Sequence, residues 1–426
     1  MGTSLKYNSG RASPTLLQGK PHPAPIPVEV GLVGKPNVGK STFFSAATKA
    51  PAEIANYPFT TIEPNRGVAY LRVPCPHVAL GLPGCTPRTG LCQNGIRYVP
   101  VELLDVAGIV PDAHTGKGLG NKFLSDLSQA AALLHVVDAS GATDAEGNPV
   151  PKGTRDPTLD VQFLEDEIAW WIQGIIMKDF GAEARRIQMS GEKLHLAIHR
   201  RVTGIGIDEL QVIKALQETG LHSTNPLAWT DTQSLELART LRKYAKPIIV
   251  AANKADQAAP ENVTKLKGVK GYTVIPACAQ AELVLRKAAD AGLITYLPGD
   301  KDFTIKEGAK LTEAQRKGLE LIRETVLHKY GSTGVQEALE TAVFQVLDRV
   351  VVFPVMDETH ATDAEGRVLP DAHLLPRGTT AKQLAYKVHT DLGEHFVRGV
   401  NAKTKRTVGA DYACEHGDVI RIVASK

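Results

Sequence analysis

Val28-Glu29-Val30-Gly31-Leu32-Val33-Gly34-Lys35-Pro36-Asn37-Val38-Gly39-Lys40-Ser41 runs from a β-branched stretch through a glycine turn into Ser41–Lys49, which reads as a helix. Strand, glycine loop and helix in that order give meaning to the pattern G-x-x-x-x-G-K-S. Gly34, Lys35, Pro36, Asn37, Val38 and Gly39 form a loop whose backbone N–H groups can close around a β-phosphate. Lys40 offers a point charge to the β/γ oxygens, and Ser41 a hydroxyl to Mg²⁺. Thr42 follows at the start of the helix, whose N-terminal dipole also favours an anion.

Working outward, Leu103-Leu104-Asp105-Val106-Ala107-Gly108 is a second element. Asp105 ends an apolar strand, where it can hold the Mg²⁺ shell through water. Gly108 can present its N–H to a γ-phosphate and move when that phosphate leaves. A third element, Asn253-Lys254-Ala255-Asp256, follows the apolar run Ile248–Ala252. Asp256 can accept two hydrogen bonds from guanine N1–H and N2–H₂. Adenine offers no such donor pair, so the carboxylate would be left unpaired against ATP. Asn253 can bond the base edge and brace the loop, while the Lys254 stem covers the ring. Ala277-Cys278-Ala279 is an imperfect S-A-x loop whose backbone can approach guanine O6. Three strong motifs in this order point to GTP and GDP as ligands.

Further strands are expected at Arg66–Val73, Tyr98–Leu104, Leu133–Asp138, Pro247–Ala252 and Tyr272–Pro276. Their alternation with helices argues for a mostly parallel α/β sheet. Leu159, Phe163, Leu164, Ile168, Trp171, Ile172, Ile175 and Ile176 recur at helical spacing after Asp156-Pro157, a helix start. A second helical pattern covers Ala182–Val202, and the tryptophans read as packing rather than as base platforms. Helices are also expected at Ala281–Ala291, Thr312–Lys329 and Val335–Leu347. Beyond these, Val350–Val355 reads as a strand and Thr380-Ala381-Lys382-Gln383 as a capping box opening a helix to about Phe396. His416-Gly417-Asp418 makes a turn before the last strand, Val419–Val423. The expected organisation is a flexible extension over 1–27 and a nucleotide-binding domain over 28–155 and 241–300. A helical insert over 156–240, a helical connector over 301–346 and a small β-grasp domain over 347–426 complete it.

A net charge of +3 over 426 residues is close to neutral, so any nucleic-acid surface must be a local basic face. No apolar run approaches bilayer length, so a soluble protein without a membrane partner is expected. Five cysteines, an odd number, and no signal peptide suggest a reducing compartment, the cytoplasm. The first 28 residues lack acidic side chains and a clear amphipathic period. A flexible extension is favoured there over an organelle-targeting peptide.

Asn56-Tyr57-Pro58-Phe59-Thr60-Thr61-Ile62-Glu63-Pro64-Asn65 resembles the first switch of the Obg superfamily of translation-factor-class GTPases. Gly116-Lys117-Gly118-Leu119-Gly120-Asn121-Lys122-Phe123-Leu124 resembles its glycine-rich second switch. With the helical insert and a C-terminal unit resembling a TGS domain, the resemblance spans residues 28–426 and is closest to the YchF-like group. It implies a Ras-like P-loop domain, with Thr61 as the switch threonine on Mg²⁺ and the γ-phosphate. Obg-like ATPases of that group have lost the aspartate of N-K-x-D and prefer ATP. This chain keeps Asp256 and so resembles the guanine-specific archaeal and eukaryotic branch. Ile109 stands where Ras-like enzymes carry the water-orienting glutamine, so no catalytic side chain is identified and hydrolysis should be slow. Asn37 occupies the position that potassium-activated GTPases use as a K⁺ ligand; bracing of the loop is the alternative. His114 lies in the second switch and reads as an exposed loop residue.

Cys75, His77, Cys85 and Cys92 fall among prolines and glycines in a stretch with little apolar content of its own. Three thiolates and an imidazole would suit tetrahedral Zn²⁺, although C-x₂-C pairs are absent. Free thiols and a disulfide are the alternatives; archaeal proteins resembling this one tend to be cysteine-rich here. Cys278 and Cys414 are read as packing residues. Lys382, Lys387, Arg398, Lys403, Lys405 and Arg406 give the last domain a basic side, and the resemblance implies a ribosome or RNA partner for it. A monomeric, slow GTPase switch is the expectation. The alternatives are a GTP-sensing scaffold without turnover, an ATPase, or a binding module in which the nucleotide is structural.

Overall fold

The computed structural model describes residues 29–49, 65–106, 108–109 and 126–425. The extension over 1–27, Thr60, Thr61, His114 and the Gly116–Leu124 stretch lie outside the described residues. The first sheet comprises β1 (Glu29–Val33), β2 (Arg66–Pro74), β3 (Leu91–Gln93), β4 (Ile96–Asp105), β5 (Ala132–Asp138), β6 (Ile248–Asn253) and β7 (Thr273–Pro276). Their order is β2-β4-β1-β5-β6-β7, with β3 paired to β4. Strands β4, β1, β5, β6 and β7 run parallel, and β2 and β3 lie antiparallel to β4. Every strand of this sheet expected from sequence is present, within two residues at each end.

Register decides where the chemistry collects. Leu32 pairs with Asp105, Val33 with His135, and Asp138 with Asn253. The carboxyl ends of four neighbouring strands therefore form one rim, the usual ligand edge of an open parallel sheet. β5 and β6 are buried along their whole length, as their unbroken apolar composition requires.

Alternating side chains send the two faces of the sheet into different cores. Val30, Leu32, Leu103, Leu134 and Val136 pack with Phe43 of helix α1 (Lys40–Thr48) and with Val335, Ala338 and Leu339. Val33, Leu104 and Leu133 join a cluster built from the insert. The insert's first helix, Thr158–Met177, buries Leu164, Ile168, Ile172 and Ile176, a stripe at a spacing of four, and lies along the helix Asp231–Ala245. Trp171 and Trp229 are partly buried against this cluster, and Trp229 stacks on Phe180 with ring centroids 5.4 Å apart.

Two helices expected as continuous are broken. Ala182–Val202 divides into Phe180–Ser190 and Leu194–Val202 because Gly191, at φ 68°, takes a left-handed C-cap. The helix opened by the Thr380/Gln383 capping box ends at Val388, where extended His389 starts a second short helix, Thr390–Glu394. The His389 ring accepts the Asp391 N–H at 3.1 Å, satisfying one amide of that new helix.

Strands β8 (Ile294–Thr295) and β9 (Thr304–Ile305) form a small ribbon ahead of the connector helices. The C-terminal sheet comprises β10 (Arg349–Val355), β11 (His373–Pro376), β12 (Phe396–Asn401), β13 (Arg406–Val408) and β14 (Val419–Ala424), in the order β11-β10-β14-β12-β13. β10 and β14 are parallel and central, and helix Ala381–Val388 packs across them through Ala381 and Leu384. This is a β-grasp arrangement. Among the described residues no helix is long and apolar enough to cross a membrane.

Candidate functional site

Gly39 stands at φ 93°, a left-handed conformation that favours glycine. A Cβ there would sit 2.3 Å from Asn253 Nδ2, so the glycine also permits close approach of the second loop. Gly39 supplies no side-chain cap to α1, which leaves the first-turn amides of that helix for an anion. Lys40 Nζ pairs with Asp105 Oδ1. The lysine expected on the phosphates and the carboxylate expected on Mg²⁺ thus occupy one place. Ser41 is exposed one residue further on.

The base-reading loop is fastened to the phosphate loop at both ends of the Asn253 amide. Asn253 is buried; its Nδ2 donates to the Val38 carbonyl at 2.9 Å and its Oδ1 accepts the Ala279 N–H at 3.0 Å. Lys254, at φ 57°, donates from Nζ to the Asn37 carbonyl at 2.8 Å and to Asp138 Oδ2 at 2.8 Å. Asp138 is fully buried and also accepts the Ser140 N–H at 3.0 Å. Asp256 is exposed, and its Oδ1 accepts the Cys278 S–H at 2.6 Å. Burial first, and the adjacent carboxylate second, push the Cys278 thiol up, which keeps it protonated and donating. Cys278 therefore does in the third loop what a serine hydroxyl could do, beyond the packing role expected for it. The loop is backed by the connector: Tyr330 donates to the Ala255 carbonyl at 2.9 Å, and the Thr333 carbonyl accepts the Cys278 N–H at 2.8 Å.

Two further contacts tie the phosphate loop to the insert. Lys35, almost fully buried, pairs with Asp160 Oδ2 at 2.7 Å and donates to the carbonyls of Thr143 (3.0 Å) and Asp144 (2.6 Å). Burial lowers its pKa, and Asp160 opposes that shift. Asp160 lies in the first turn of Thr158–Met177. Asn37 Nδ2 donates to the Gly147 carbonyl at 3.0 Å, a bracing role. Gly147, at φ 90°, lies so near that a Cβ would stand 2.6 Å from the Pro36 carbonyl oxygen. Ile109 is 1% exposed and shares the insert cluster with Leu164 and Ile168; its N–H meets the Gly34 carbonyl at 3.3 Å. The residue at the glutamine position is thus a core residue.

Of the expected site residues, Gly34–Thr42, Asp105, Gly108, Asn253, Lys254, Asp256, Cys278 and Ala279 cluster at the strand ends or on the loops that follow them. Asp138, Asp160 and Tyr330 were not expected. Asp138 had a visible signal, since it ends an apolar strand as Asp105 does. Asp160 and Tyr330 had none, because their partners are distant in sequence. The Cys75, His77, Cys85 and Cys92 ligand atoms come together at a separate place, within 4.8 Å of one another, and all five cysteines are free.

The chain is 50% identical to an uncharacterized GTP-binding protein of Methanocaldococcus jannaschii, covering 93% of this chain and 99% of that one. Residues 251–357 match an Obg-like GTPase YGR210-like, G4 motif-containing domain. The chain belongs to the Obg superfamily, in its YchF-like group. Residues 29–155 of this YchF-like protein match a family described as 50S ribosome-binding GTPase, and 366–424 match the TGS domain. A Pyrococcus horikoshii GTP-binding protein of known structure superposes with a TM-score of 0.74 at 40% identity, covering 93% of this chain and all of that one. The ribosome-binding ATPase YchF of Haemophilus influenzae is 28% identical, covering 92% of this chain and 97% of that protein. At the level of the family, the YchF-like chain is a GTP-binding protein among nucleotide hydrolases.

Proposed function

We propose that this chain binds GTP in preference to ATP and hydrolyses it slowly to GDP and phosphate, as a monomeric cytoplasmic switch acting on the ribosome. The observation that carries the reading is the exposed Asp256 carboxylate, oriented by Cys278 beside a loop that Asn253 and Lys254 fasten to the phosphate loop. A guanine's N1–H and N2–H₂ would meet that carboxylate while the β-phosphate lies among the amides before Lys40. Loss of both donors in adenine would leave a desolvated charge unpaired. The Ser41 hydroxyl and the Asp105 carboxylate are oxygen donors of the kind Mg²⁺ takes, and Thr61 would complete the set. Mg²⁺ bound there would neutralise charge on the β/γ oxygens. Lys40 would stabilise the same oxygens, and the Gly108 N–H would report the γ-phosphate to the second switch.

Ile109 cannot orient water, which is why slow turnover is proposed. The same burial favours a second reading, a GTP-sensing scaffold without turnover. Single-turnover assays with and without ribosomes separate the two: no phosphate release in either arm would leave only the scaffold. Competition of ATP and GTP for a labelled guanine nucleotide tests the base, and equal potency would sink the guanine reading. K⁺ could be held through Asn37 Oδ1 and act where an arginine finger otherwise would; equal GTP turnover in KCl and NaCl would remove it. The domains are proposed to divide at the boundaries given above.

The ribosome is proposed because relatives named YchF carry that binding in their names. Lys382, Lys387, Arg398, Lys403, Lys405 and Arg406 are all exposed on the C-terminal domain, an apt surface for RNA phosphates. Cosedimentation that does not weaken with salt would count against a phosphate-binding face.

A further inference from the structure

We propose that Cys75, His77, Cys85 and Cys92 bind one structural Zn²⁺ ion, and that this ion fixes the loop on which the C-terminal domain docks. Cys75 closes β2 and precedes a single helical turn, Pro76–Ala79, which carries His77. Cys92 lies on β3, joined to β4 by Asn94-Gly95, a hairpin turn with both residues at positive φ. The Cys75 N–H bonds the Gly95 carbonyl at 2.8 Å, so the first and last ligands are placed by the same hairpin. Cys85 is set between them on an irregular loop.

Cys75 Sγ and Cys85 Sγ are 3.6 Å apart, and Cys92 Sγ is 3.5 Å from His77 Nδ1. A disulfide would need about 2.05 Å. Tetrahedral Zn²⁺ bonded at its usual lengths places two sulfurs about 3.8 Å apart, and a sulfur and a nitrogen about 3.5 Å apart. The donor set is soft, and its geometry is already that of a four-coordinate site. Irregular spacing in sequence is no obstacle, because a hairpin, a turn and a loop supply the four atoms independently.

A second, independent observation is electrostatic. Arg97 is 0% exposed, and among the described residues its side-chain partners are the Leu369 and Pro370 carbonyls, each at 2.9 Å, and Cys85 Sγ at 3.8 Å. No carboxylate is in that set, yet a buried cation requires compensation. Three thiolates around one Zn²⁺ carry a single net negative charge, which matches one guanidinium. Arg97 would then be an outer-shell donor to a ligand sulfur, as is common around metals.

The loop between Cys85 and Cys92 is also the docking edge. The Thr86 N–H donates to the Val368 carbonyl at 2.9 Å and the Arg88 N–H to the Pro370 carbonyl at 2.9 Å. The Arg88 side chain pairs with Asp363 at 2.6 Å and Asp371 at 3.2 Å. Removal of the ion would free this segment, which has little apolar content to hold it otherwise.

Full-length protein purified without added zinc tests the site by elemental analysis. Close to one zinc per chain is expected, falling below a tenth in Cys85→Ser/Cys92→Ser. Because that variant could misfold, the wild-type chain is also stripped with a chelator under reducing conditions and titrated with Co²⁺. A tetrahedral thiolate spectrum saturating at one equivalent supports the site; a stripped chain that takes up neither Zn²⁺ nor Co²⁺ overturns it, and stoichiometric iron as purified overturns zinc. For the docking role, amide exchange at Thr86, Arg88 and Val368–Pro370 is compared in the loaded and stripped chains. Exchange about tenfold faster on stripping is expected, and unchanged exchange overturns the clasp.

Discussion

The base-reading loop and the cysteine knuckle are both short turns that leave the sheet, and they obtain rigidity in opposite ways. Asn253, Lys254 and Asp256 are held by hydrogen bonds from side chains whose atoms cannot be exchanged for others. The knuckle has few such bonds and instead brings four ligand atoms to one point. Rigidity built from specific hydrogen bonds is written as a fixed motif, because each donor and acceptor sits at a set distance along the chain. Rigidity drawn from a metal needs only donors that converge in space, so its spacing can be irregular. Each region also contains a cysteine chemistry the other lacks: a protonated thiol that donates in one, sulfurs that face one another in the other.

The comparison breaks most sharply if the two regions are not independent. Lys40→Ala should weaken GTP binding by about 100-fold or more through loss of a charge-assisted contact, with zinc content unchanged. Titration with a fluorescent guanine nucleotide and elemental analysis on the same sample check this; loss of metal would show the regions to be one unit. Asp256→Asn should cost about 50-fold in GTP affinity, as hydrogen bonds to a charge are lost, with ATP affinity unaltered in the same titration.

Acid provides the next test. His135, buried under the phosphate loop in register with Val33, is held neutral by burial and, secondarily, by Lys35, with its pKa pulled down to about 3. The unfolded side chain takes its proton near pH 6.5, so this site's stability is complete above that pH and is lost as pH falls toward 3. At pH 5 the loss should be about 2 kcal/mol, read from denaturant unfolding at pH 5 and 7.5. His135→Leu should remove most of that difference; an equal drop in both proteins would assign the acid sensitivity to the knuckle's ligands instead.

The smallest effect sharpens the contrast between thiols. Cys278→Ala should cost about 1 kcal/mol of GTP affinity for one lost hydrogen bond, while Cys278→Ser restores most of it because a hydroxyl donates as a thiol does. A serine that binds GTP no better than alanine would show that the S–H···Asp256 contact does nothing for the base.

Much of the fold was legible because strand ends coincide with motifs: Gly34 after β1, Asp105 at the end of β4, Asn253 at the end of β6. The helix breaks at Gly191 and His389 were not, since a single residue's backbone angle decided each and the flanking periodicity continued. In the site, local motifs located the phosphate and guanine loops. The Lys35–Asp160 pair was invisible because it joins residues far apart in the chain through burial alone. The knuckle's residues were named in advance, but only distances could exclude a disulfide, and only Arg97's lack of a carboxylate partner speaks to charge.

Ile109 and Asp160 carry a lesson for anyone cutting the protein into pieces. The insert looks like a detachable module, entered and left through single connections between β5 and β6. Yet its first helix supplies the counter-ion of a buried lysine in the phosphate loop and covers the residue that follows Gly108. Trimming it would uncover a greasy patch beside the nucleotide pocket and strand an ammonium group in a dry environment. The smallest fragment that behaves as a nucleotide-binding unit should therefore keep the insert, and shortened versions without it should be recovered as aggregates.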